Sequence, residues 1–264
     1  MKRYDNYTNK ELQAILIAKQ IKNDQVVIVG TGLPLFGATV AKRCFTPGCC
    51  MIAESGIMDI APPEAPGSVA DLRFMNHCSV QWDSYRFMGF QINNWQNNHA
   101  DMIAFIGGAQ VDMYGNINTT CIGDYHHPAV RMPGSGGGNG IASYVNTVVT
   151  MKQDARTFVE KVDFITSPGW MDGGDSRKKY GLPADRGPQM VISEMGTFKF
   201  DVETKKMYLN SYFPSTTPAE IQKRTGFELD TSKAFMEEAP SEDIIRIIRE
   251  QIDPAQVFIK IPMD

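Results

Sequence analysis

The sequence predicts an α/β fold with an open, largely parallel sheet flanked by helices. Two apolar runs without polar alternation, 25–30 and 49–54, are typical of buried parallel strands. Between them, Pro34 suits the first turn of a helix over about 34–44, so strand, helix and strand form a βαβ unit. Because no shift in composition marks a linker, residues 1–264 are expected to form a single domain.

Residues on both sides of this unit extend the α/β pattern. Thr8 and Glu11 form a capping box, which predicts a helix from residue 8 to about residue 22. Apolar and β-branched stretches predict further strands at 87–92, 102–106, 145–150, 164–166 and 189–193. The predicted fold class therefore rests on more than one unit.

The C-terminal part of the chain is predicted to add a small elaboration of a hairpin and two helices. Residues 197–201 and 207–212 are separated by a polar break, which predicts a β-hairpin at the sheet edge. One helix is predicted to start at Thr217. Ser241 is expected to cap a second, amphipathic helix over 241–249.

Composition and charge argue against several classes of protein. The net charge is −4 and no long basic run is present, so nucleic acid and acidic membrane surfaces are not expected as partners. No stretch approaches the roughly 18 apolar residues of a membrane span. The basic N-terminal residues precede no apolar segment, so no signal peptide is predicted. The five cysteines include no CxxC pair and are interpreted as reduced thiols of a cytoplasmic protein.

Glu54 is the first candidate functional residue. It ends the apolar run 49–53 and is followed at once by Ser55 and Gly56. Open α/β folds bind their ligands at the carboxyl ends of their strands, which is where this carboxylate is expected. Position alone leaves three interpretations: a nucleophile, a general base, or a hydrogen-bonded structural carboxylate.

A glycine-rich run at 134–140 is the second candidate. Its backbone N–H groups could face an anion with no Cβ in the way. The run lacks the GK[ST] of a nucleotide-binding P-loop, and no predicted strand leads directly into it as in a dinucleotide fingerprint. A tight structural connection is the alternative. A carboxylate nucleophile together with such donors would suit acyl transfer from a thioester.

Three other polar segments are interpreted as structural. The adjacent His126 and His127 have diverging side chains and no third ligand at helical spacing, so no metal site is predicted. Residues 167–174 could line an acyl pocket or form a rigid loop, and the rigid loop is favoured. The basic residues 177–179 could meet phosphate groups, but a solvated face is the favoured interpretation.

Four segments, taken in order, resemble a known family: 53–56, 105–112, 114–116 and 134–139. Over essentially its whole length the chain resembles the β subunits of family I CoA-transferases. Many members carry Glu-Asn-Gly where this chain has Glu54-Ser55-Gly56. In that respect the chain is similar to the branch that acts on glutaconate.

The resemblance implies roles for particular residues. It implies that Glu54 is catalytic. It also implies that the oxyanion is stabilised by backbone N–H groups of Gly136, Gly137 and Gly138. The candidate pocket residues are Ser55, Gly56, Gly107 and Gly108.

The resemblance further implies a reaction and its partners. The reaction is ping-pong transfer of CoA between acetyl-CoA and a dicarboxylate such as glutaconate or 2-hydroxyglutarate, through a γ-glutamyl-CoA thioester on Glu54. An α subunit is implied as partner, with assembly into a larger hetero-oligomer. No metal or organic prosthetic group is implied, and CoA itself is a substrate.

Two alternatives stand beside this interpretation. A related branch uses the same scaffold to hydrolyse CoA thioesters with ring opening, and hydrolysis would also follow if water reached the glutamyl thioester. The chain could instead be a non-catalytic scaffold subunit. In that case Glu54 and the glycine-rich run would be structural and the partner would carry the chemistry.

Overall fold

The computed structural model describes residues 4–68, 71–83 and 101–260. The chain divides into two compact units, one that reaches Phe105 and resumes at Ala239, and one that spans Ile106–Glu238. The predicted strand over 87–92 lies outside the described residues. The expectation that residues 1–264 form a single domain stays a prediction.

The first unit begins with alternating helices and strands. In chain order its elements are α1 (Asn9–Ala18), β1 (Val26–Ile28), α2 (Leu33–Cys44), β2 (Cys50–Ala53), β3 (Ile57–Met58), α3 (Leu72–Asn76), β4 (Val80–Gln81) and β5 (Met102–Gly107). β1 pairs in parallel with β2 and with β5, so that Val27 is in register with Met51 and Ile103. The connection from β1 through α2 to β2 confirms the predicted βαβ unit.

The strands that follow β2 run antiparallel. β3 returns along β2 with Met58 opposite Ile52, and β4 pairs antiparallel with β3 with Val80 opposite Met58. The sheet of the first unit is therefore mixed, with its parallel part on β1, β2 and β5. The short turn between β2 and β3 lies at the carboxyl end of a parallel strand, as expected for a ligand-binding edge.

The N-terminal helix has its predicted cap but is shorter than predicted. The Thr8 hydroxyl accepts the N–H of Glu11, and the Glu11 carboxylate accepts the N–H of Thr8 at 2.7 Å. α1 ends at Ala18 rather than near Lys22. The N–H of Lys22 donates to the side chain of Gln25 at 3.1 Å, which turns the chain toward β1.

The second unit carries most of the remaining elements. They are β6 (Gln110–Asp112), β7 (Ile117–Asn118), β8 (Cys121–Ile122), β9 (Val130–Arg131), α4 (Gly138–Tyr144), β10 (Asn146–Thr150), β11 (Phe158–Val159), α5 (Ser176–Lys179), β12 (Pro188–Ile192), β13 (Gly196–Phe200), β14 (Met207–Tyr212), α6 (Pro218–Lys223) and β15 (Phe235–Met236). β10 pairs in parallel with β12, and β12, β13 and β14 are antiparallel. The predicted hairpin and the helix that starts after Thr217 are confirmed.

Two predictions about this unit are wrong. The hairpin is not at the sheet edge, because β15 pairs in parallel with β14 through Ser211 and Phe235. Residues 164–166 form no strand. Instead, the hydroxyl of Thr166 accepts the N–H of Thr119 at 2.9 Å. The backbone N–H groups of Thr166 and Ser167 both donate to the carbonyl of Ile117, at 2.8 and 3.0 Å, and this contact is an isolated bridge, not a strand ladder.

The core of the second unit lies between its strands and the loops that cover them. It includes Val111, Val149, Phe158, Val191, Phe198 and Leu209, all less than 1% exposed. The rings of Phe158 and Phe198 pack with their centroids 5.1 Å apart. Burial of this apolar surface is the main stabilising contribution to such a unit. Among the described residues, the helices are all too short or too polar to span a membrane.

The C-terminal segment returns to the first unit. α7 (Glu242–Ile247) continues as a π-helical turn over Ile248–Ile252. Ser241 precedes α7 as predicted, but its side chain makes no capping hydrogen bond to a described residue. A buried ion pair joins this segment to α1, because Nε of Arg249 donates to the Glu11 carboxylate at 2.6 Å.

Candidate active site

Glu54 lies in the turn that joins β2 to β3, directly after the carboxyl end of β2. Its side chain is exposed, and so is that of Ser55. The N–H of Gly56 donates to the carbonyl of Ala53 at 3.0 Å, and the carbonyl of Gly56 accepts the N–H of Trp82 at 2.8 Å. An exposed carboxylate on such a turn is compatible with a nucleophile or a base, and the catalytic role of Glu54 stays a prediction.

The turn requires glycine at position 56. The φ angle of Gly56 is 90°, a backbone conformation that side chains with a Cβ rarely adopt. A Cβ at this position would also lie 2.0 Å from the carbonyl oxygen of Trp82. Gly56 therefore determines the path of the chain beside Glu54, and the pocket role of Ser55 and Gly56 stays a prediction.

An ion pair stabilises the strands on both sides of this turn. Asp59 follows β3 and accepts hydrogen bonds from Ser79 Oγ at 2.7 Å and from Lys42 Nζ at 3.1 Å. Lys42 also donates to the carbonyl of Cys49 at 2.7 Å. The Ser79 hydroxyl and the Lys42 ammonium hold the pKa of Asp59 below its ordinary value. The charged carboxylate thus links α2 to the strands that carry Glu54.

Gly107 and Gly108 lie at the exit of β5. A Cβ at Gly107 would be 3.2 Å from the carbonyl oxygen of Thr150, and one at Gly108 would be 2.3 Å from Cγ2 of Ile117. Close packing within the second unit explains glycine at position 108 and limits the space at position 107. The role of Gly107 and Gly108 in a pocket stays a prediction.

The glycine loop, defined here as residues 133–138, connects β9 to α4. Gly134 and Gly136 have φ angles of 95° and 54°. The N–H of Gly138 already donates to the carbonyl of Ser135 at 2.9 Å. Among the described residues, the N–H groups of Gly136 and Gly137 have no acceptor. Of the three donors predicted from the resemblance, these two are not used within the loop, and their role toward an oxyanion stays a prediction.

The helix that follows the glycine loop was missed by sequence reasoning. α4 begins at Gly138 and holds a second glycine at position 140, and glycine disfavours a helix interior. Its start is held by the side-chain amide of Asn139, which donates to the carbonyl of Thr166 at 2.8 Å. Long-range contacts such as this one distinguish the segment from a flexible glycine-rich connection.

The prediction of a solvated face over residues 177–179 is wrong for its first residue, Arg177. Lys178 and Lys179 are exposed, but the side chain of Arg177 is 1% exposed. Its guanidinium lies among backbone carbonyls, including that of Gly169 at 2.6 Å. Burial lowers the pKa of Arg177 to about 10, so the side chain stays charged at neutral pH. A run of basic residues gives no signal that one of them is buried.

The segment that was predicted to be a rigid loop, 167–174, is held by Asn116. Its side-chain oxygen accepts the N–H groups of Gly169 and Met171 at 2.8 and 3.1 Å. Its side-chain amide donates to the buried carboxylate of Asp112 at 2.9 Å. These contacts agree with the structural interpretation of the segment.

The stability of the fold is expected to fall as the pH rises from about 4 to about 6, because of Asp112. Burial raises the pKa of this carboxyl to about 6, although hydrogen bonds from Asn116 oppose the shift. The folded state therefore binds the proton more tightly than the unfolded chain, whose Asp pKa is about 3.9. This contribution to the free energy of unfolding, about 3 kcal/mol, is complete below the pKa of the unfolded chain. It is lost as the pH rises through the pKa of the folded state.

The measurement is thermal unfolding of wild type and Asp112→Asn between pH 4 and pH 7. Stability is expected to fall with rising pH in the wild type relative to the variant, which has no carboxyl at that position. A difference between the two proteins that does not change with pH would contradict the assignment to Asp112.

The two adjacent histidines lie on an exposed loop between β8 and β9. The carboxylate of Asp124 accepts the N–H groups of His126 and His127, both at 2.9 Å. This turn agrees with ordinary polar packing of the loop. In the part of the chain that the structure describes, no three His, Cys, Asp or Glu side chains are grouped to hold a metal ion.

Comparison with known proteins identifies the relatives of this chain. The sequence pattern of the coenzyme A transferase family matches residues 10–224. The β subunit of glutaconate CoA-transferase from Acidaminococcus fermentans is 56% identical over 264 residues, which cover 100% of this chain and 99% of that protein. The cholesterol ring-cleaving hydrolase IpdB subunit of Mycobacterium tuberculosis is 31% identical over 253 residues, 94% of this chain and 95% of that protein.

Solved structures agree with the sequence comparison. The crystal structure of glutaconate coenzyme A-transferase from Acidaminococcus fermentans matches with a TM-score of 0.94 and covers 98% of this chain and 100% of that chain. The predicted α/β class and the resemblance stated from the sequence are both confirmed.

Proposed function

This chain belongs to the coenzyme A transferase family, and on that premise we propose that it is the β subunit of a glutaconate CoA-transferase. The enzyme would move CoA between acetyl-CoA and a dicarboxylate such as glutaconate or 2-hydroxyglutarate. The observation that carries the proposal is the full-length similarity to the β subunit of a glutaconate CoA-transferase. The exposed position of Glu54 at the carboxyl end of β2 supports it.

The proposed first half-reaction runs through Glu54. A carboxylate oxygen attacks the thioester carbonyl of acetyl-CoA, the C–S bond breaks, and the CoA thiolate leaves behind a mixed anhydride. The thiolate then attacks the glutamyl carbonyl, acetate departs, and a γ-glutamyl-CoA thioester is formed. The second half-reaction reverses these steps with the dicarboxylate and restores the Glu54 carboxylate.

The glycine loop has a proposed part in the same steps. Each attack creates a tetrahedral centre with a developing oxyanion, which preorganised N–H donors stabilise. The N–H groups of Gly136 and Gly137 are available for this, and Gly138 would join them only if its bond to Ser135 opened. Every bond made or broken lies in Glu54, CoA and the two acids, so CoA enters as a substrate and the steps call for no prosthetic group.

The proposal includes a partner and a location. An α subunit would complete the enzyme, with further assembly into a larger hetero-oligomer, since the similar protein from Acidaminococcus fermentans is itself one subunit of its enzyme. We expect a cytoplasmic enzyme that binds small acids and acyl-CoA, with neither nucleic acid nor membrane as partner.

The proposal is tested by trapping the covalent intermediate. The chain is co-expressed with its α subunit, incubated with acetyl-CoA or glutaryl-CoA, and treated with borohydride or hydroxylamine. Mass spectrometry of the digested complex is expected to find the modification on Glu54, and none when acyl-CoA is omitted. An unmodified Glu54 in a complex that turns over would assign the chemistry to the partner and make this chain a scaffold.

Hydrolysis is the second candidate, favoured by the similarity to a ring-cleaving hydrolase subunit. The two activities share the trapped thioester and differ in what attacks it. With acetyl-CoA alone, a transferase is expected to release little free CoA, and addition of glutaconate is expected to convert the thioester to glutaconyl-CoA. Rapid release of free CoA that glutaconate does not change would favour the hydrolase.

A further inference from the structure

A single buried guanidinium joins three separate segments of the second unit. Arg177 donates from Nε to the carbonyl of Pro183 at 2.8 Å, from Nη1 to Gly169 at 2.6 Å and from Nη2 to Ser143 at 2.8 Å. Each of its nitrogens therefore serves a different part of the chain. Ser143 lies in the last turn of α4, the helix that follows the glycine loop.

Burial of the Arg177 guanidinium costs free energy, and this cost indicates that its position is important to the protein. Among the described residues, Arg177 has no carboxylate within ion-pair distance. Moving an unpaired charge out of water is expensive unless hydrogen bonds replace the lost solvation. Here backbone carbonyls replace it, and the carbonyl end of a helix favours a positive charge. The rigid planar fork of arginine presents its donors to several acceptors in fixed directions at once.

The opposite end of α4 is held by a second contact. Nδ2 of Asn139 donates to the carbonyl of Thr166 at 2.8 Å. Thr166 is itself fixed, because its hydroxyl accepts the N–H of Thr119. The carbonyl of Thr119 in turn accepts the N–H of Gly134, at the entry of the glycine loop, at 2.9 Å. The loop and α4 are thus anchored at the entry to the loop, at the start of the helix and at its end.

This arrangement links remote contacts to the N–H groups of the loop. Gly136 and Gly137 directly precede α4, and no flexible segment separates them from it. A rotation or shift of α4 therefore reorients both N–H groups. Glycine gives these positions little local restraint, so the restraint has to come from the anchors of the helix.

We propose that Arg177 and Asn139 are positioning residues that hold α4, and through it the Gly136 and Gly137 N–H groups, in the orientation that stabilises the oxyanion. The inference rests on the proposed function of the glycine loop and extends it to residues that contact no substrate. It assigns to a buried arginine a part in the rate of acyl transfer, besides its part in stability.

The test compares Arg177→Lys and Asn139→Ala with wild type in the complex with the α subunit. Lysine keeps the positive charge but cannot reach the carbonyls of Pro183, Gly169 and Ser143 together. The amount of trapped Glu54 adduct counts the competent sites, and the rate of its formation per competent site reports the chemistry. We expect that rate to fall by about tenfold to a hundredfold, since small misplacements of catalytic groups have effects of this size. The KM for acetyl-CoA is expected to change less than the rate.

A neighbouring arginine provides a matched control. Arg186 is partly exposed and donates from Nη1 to the carbonyl of Tyr144 at 3.2 Å, one residue beyond the carbonyl that Arg177 binds. Among the described residues, its side chain makes this one hydrogen bond, whereas Arg177 binds three segments. Arg186→Lys is expected to leave the rate of adduct formation unchanged.

The outcomes separate this inference from the proposed function. If wild type forms no adduct on Glu54, the proposed function itself fails. If wild type forms the adduct, and both variants form it at the wild-type rate per competent site while melting at a lower temperature, then Arg177 and Asn139 are only structural and the inference is overturned. Should Arg177→Lys not fold, Asn139→Ala decides alone, because a slower rate supports the positioning role and an unchanged rate refutes it.

Discussion

Replacement of Glu54 by aspartate is expected to lower CoA transfer by about a hundredfold or more, because the nucleophile must lie about 3–3.5 Å from the thioester carbon. Aspartate keeps the charge but withdraws it by one methylene. The side chain is exposed on the turn after β2, so the change leaves no cavity. Stability is expected to stay within about 0.5 kcal/mol of wild type, as for most surface substitutions. The measurement is kcat with acetyl-CoA and glutaconate, together with a melting curve.

The control for this substitution is Glu203→Asp. Glu203 is also exposed, and it lies in the turn between β13 and β14. It loses the same methylene in a comparable setting, and its variant is expected to transfer CoA at the wild-type rate. If Glu54→Asp also turned over at that rate, Glu54 would not be the nucleophile. Glu54→Gln keeps the length and removes the charge, and it is expected to be inactive for the same chemical reason.

The parts of the fold that were predictable from the sequence are those determined by local pattern. The apolar runs became the parallel strands β1 and β2, because burial on both faces leaves no polar alternation. The capping box of Thr8 and Glu11 formed as predicted, since its two hydrogen bonds join residues three positions apart. Glu54 could be singled out for the same reason: its place at a strand exit is a property of neighbouring residues.

The parts that could not be predicted depend on contacts between distant residues. The guanidinium of Arg177 binds the carbonyl of Ser143, which is 34 positions away in the chain. In the sequence it is one member of a basic run. Residues 164–166 have strand-like composition, but the backbone N–H groups of Thr166 and Ser167 share the carbonyl of Ile117, and no ladder forms. Such contacts exist only once the chain has folded.

The glycine loop combines features that are predictable from the local sequence with features that depend on distant contacts. Its glycines were evident in the sequence and predicted freely available N–H donors. The structure shows that the N–H of Gly138 is used within the loop and that α4 begins at this residue. The side chain of Asn139 binds the carbonyl of Thr166, and this bond helps to form the helix. The start of α4 is thus held by a partner 27 residues away, which the local sequence does not reveal.

Replacement of Gly56 by alanine is expected to destabilise the chain and to impair catalysis beyond the loss of folded protein. The left-handed backbone costs alanine about 1–2 kcal/mol. The added methyl would lie 2.0 Å from the carbonyl oxygen of Trp82, so the backbone must move. Overpacking of this kind costs about 1–3 kcal/mol, which makes about 3 kcal/mol a reasonable total. Chemical unfolding of the complex and kcat per folded enzyme are the two measurements.

Gly181→Ala separates the two causes. Gly181 also has a positive φ angle, 72°, but a Cβ there would meet no atom within 4 Å. Its variant therefore bears only the backbone cost, about 1–2 kcal/mol, and is expected to keep full activity. Equal losses in the two variants would show that close approach to Trp82 adds nothing. A larger loss at Gly56, with kcat reduced per folded enzyme, would show that this approach sets the path of the turn and therefore the position of the Glu54 carboxylate.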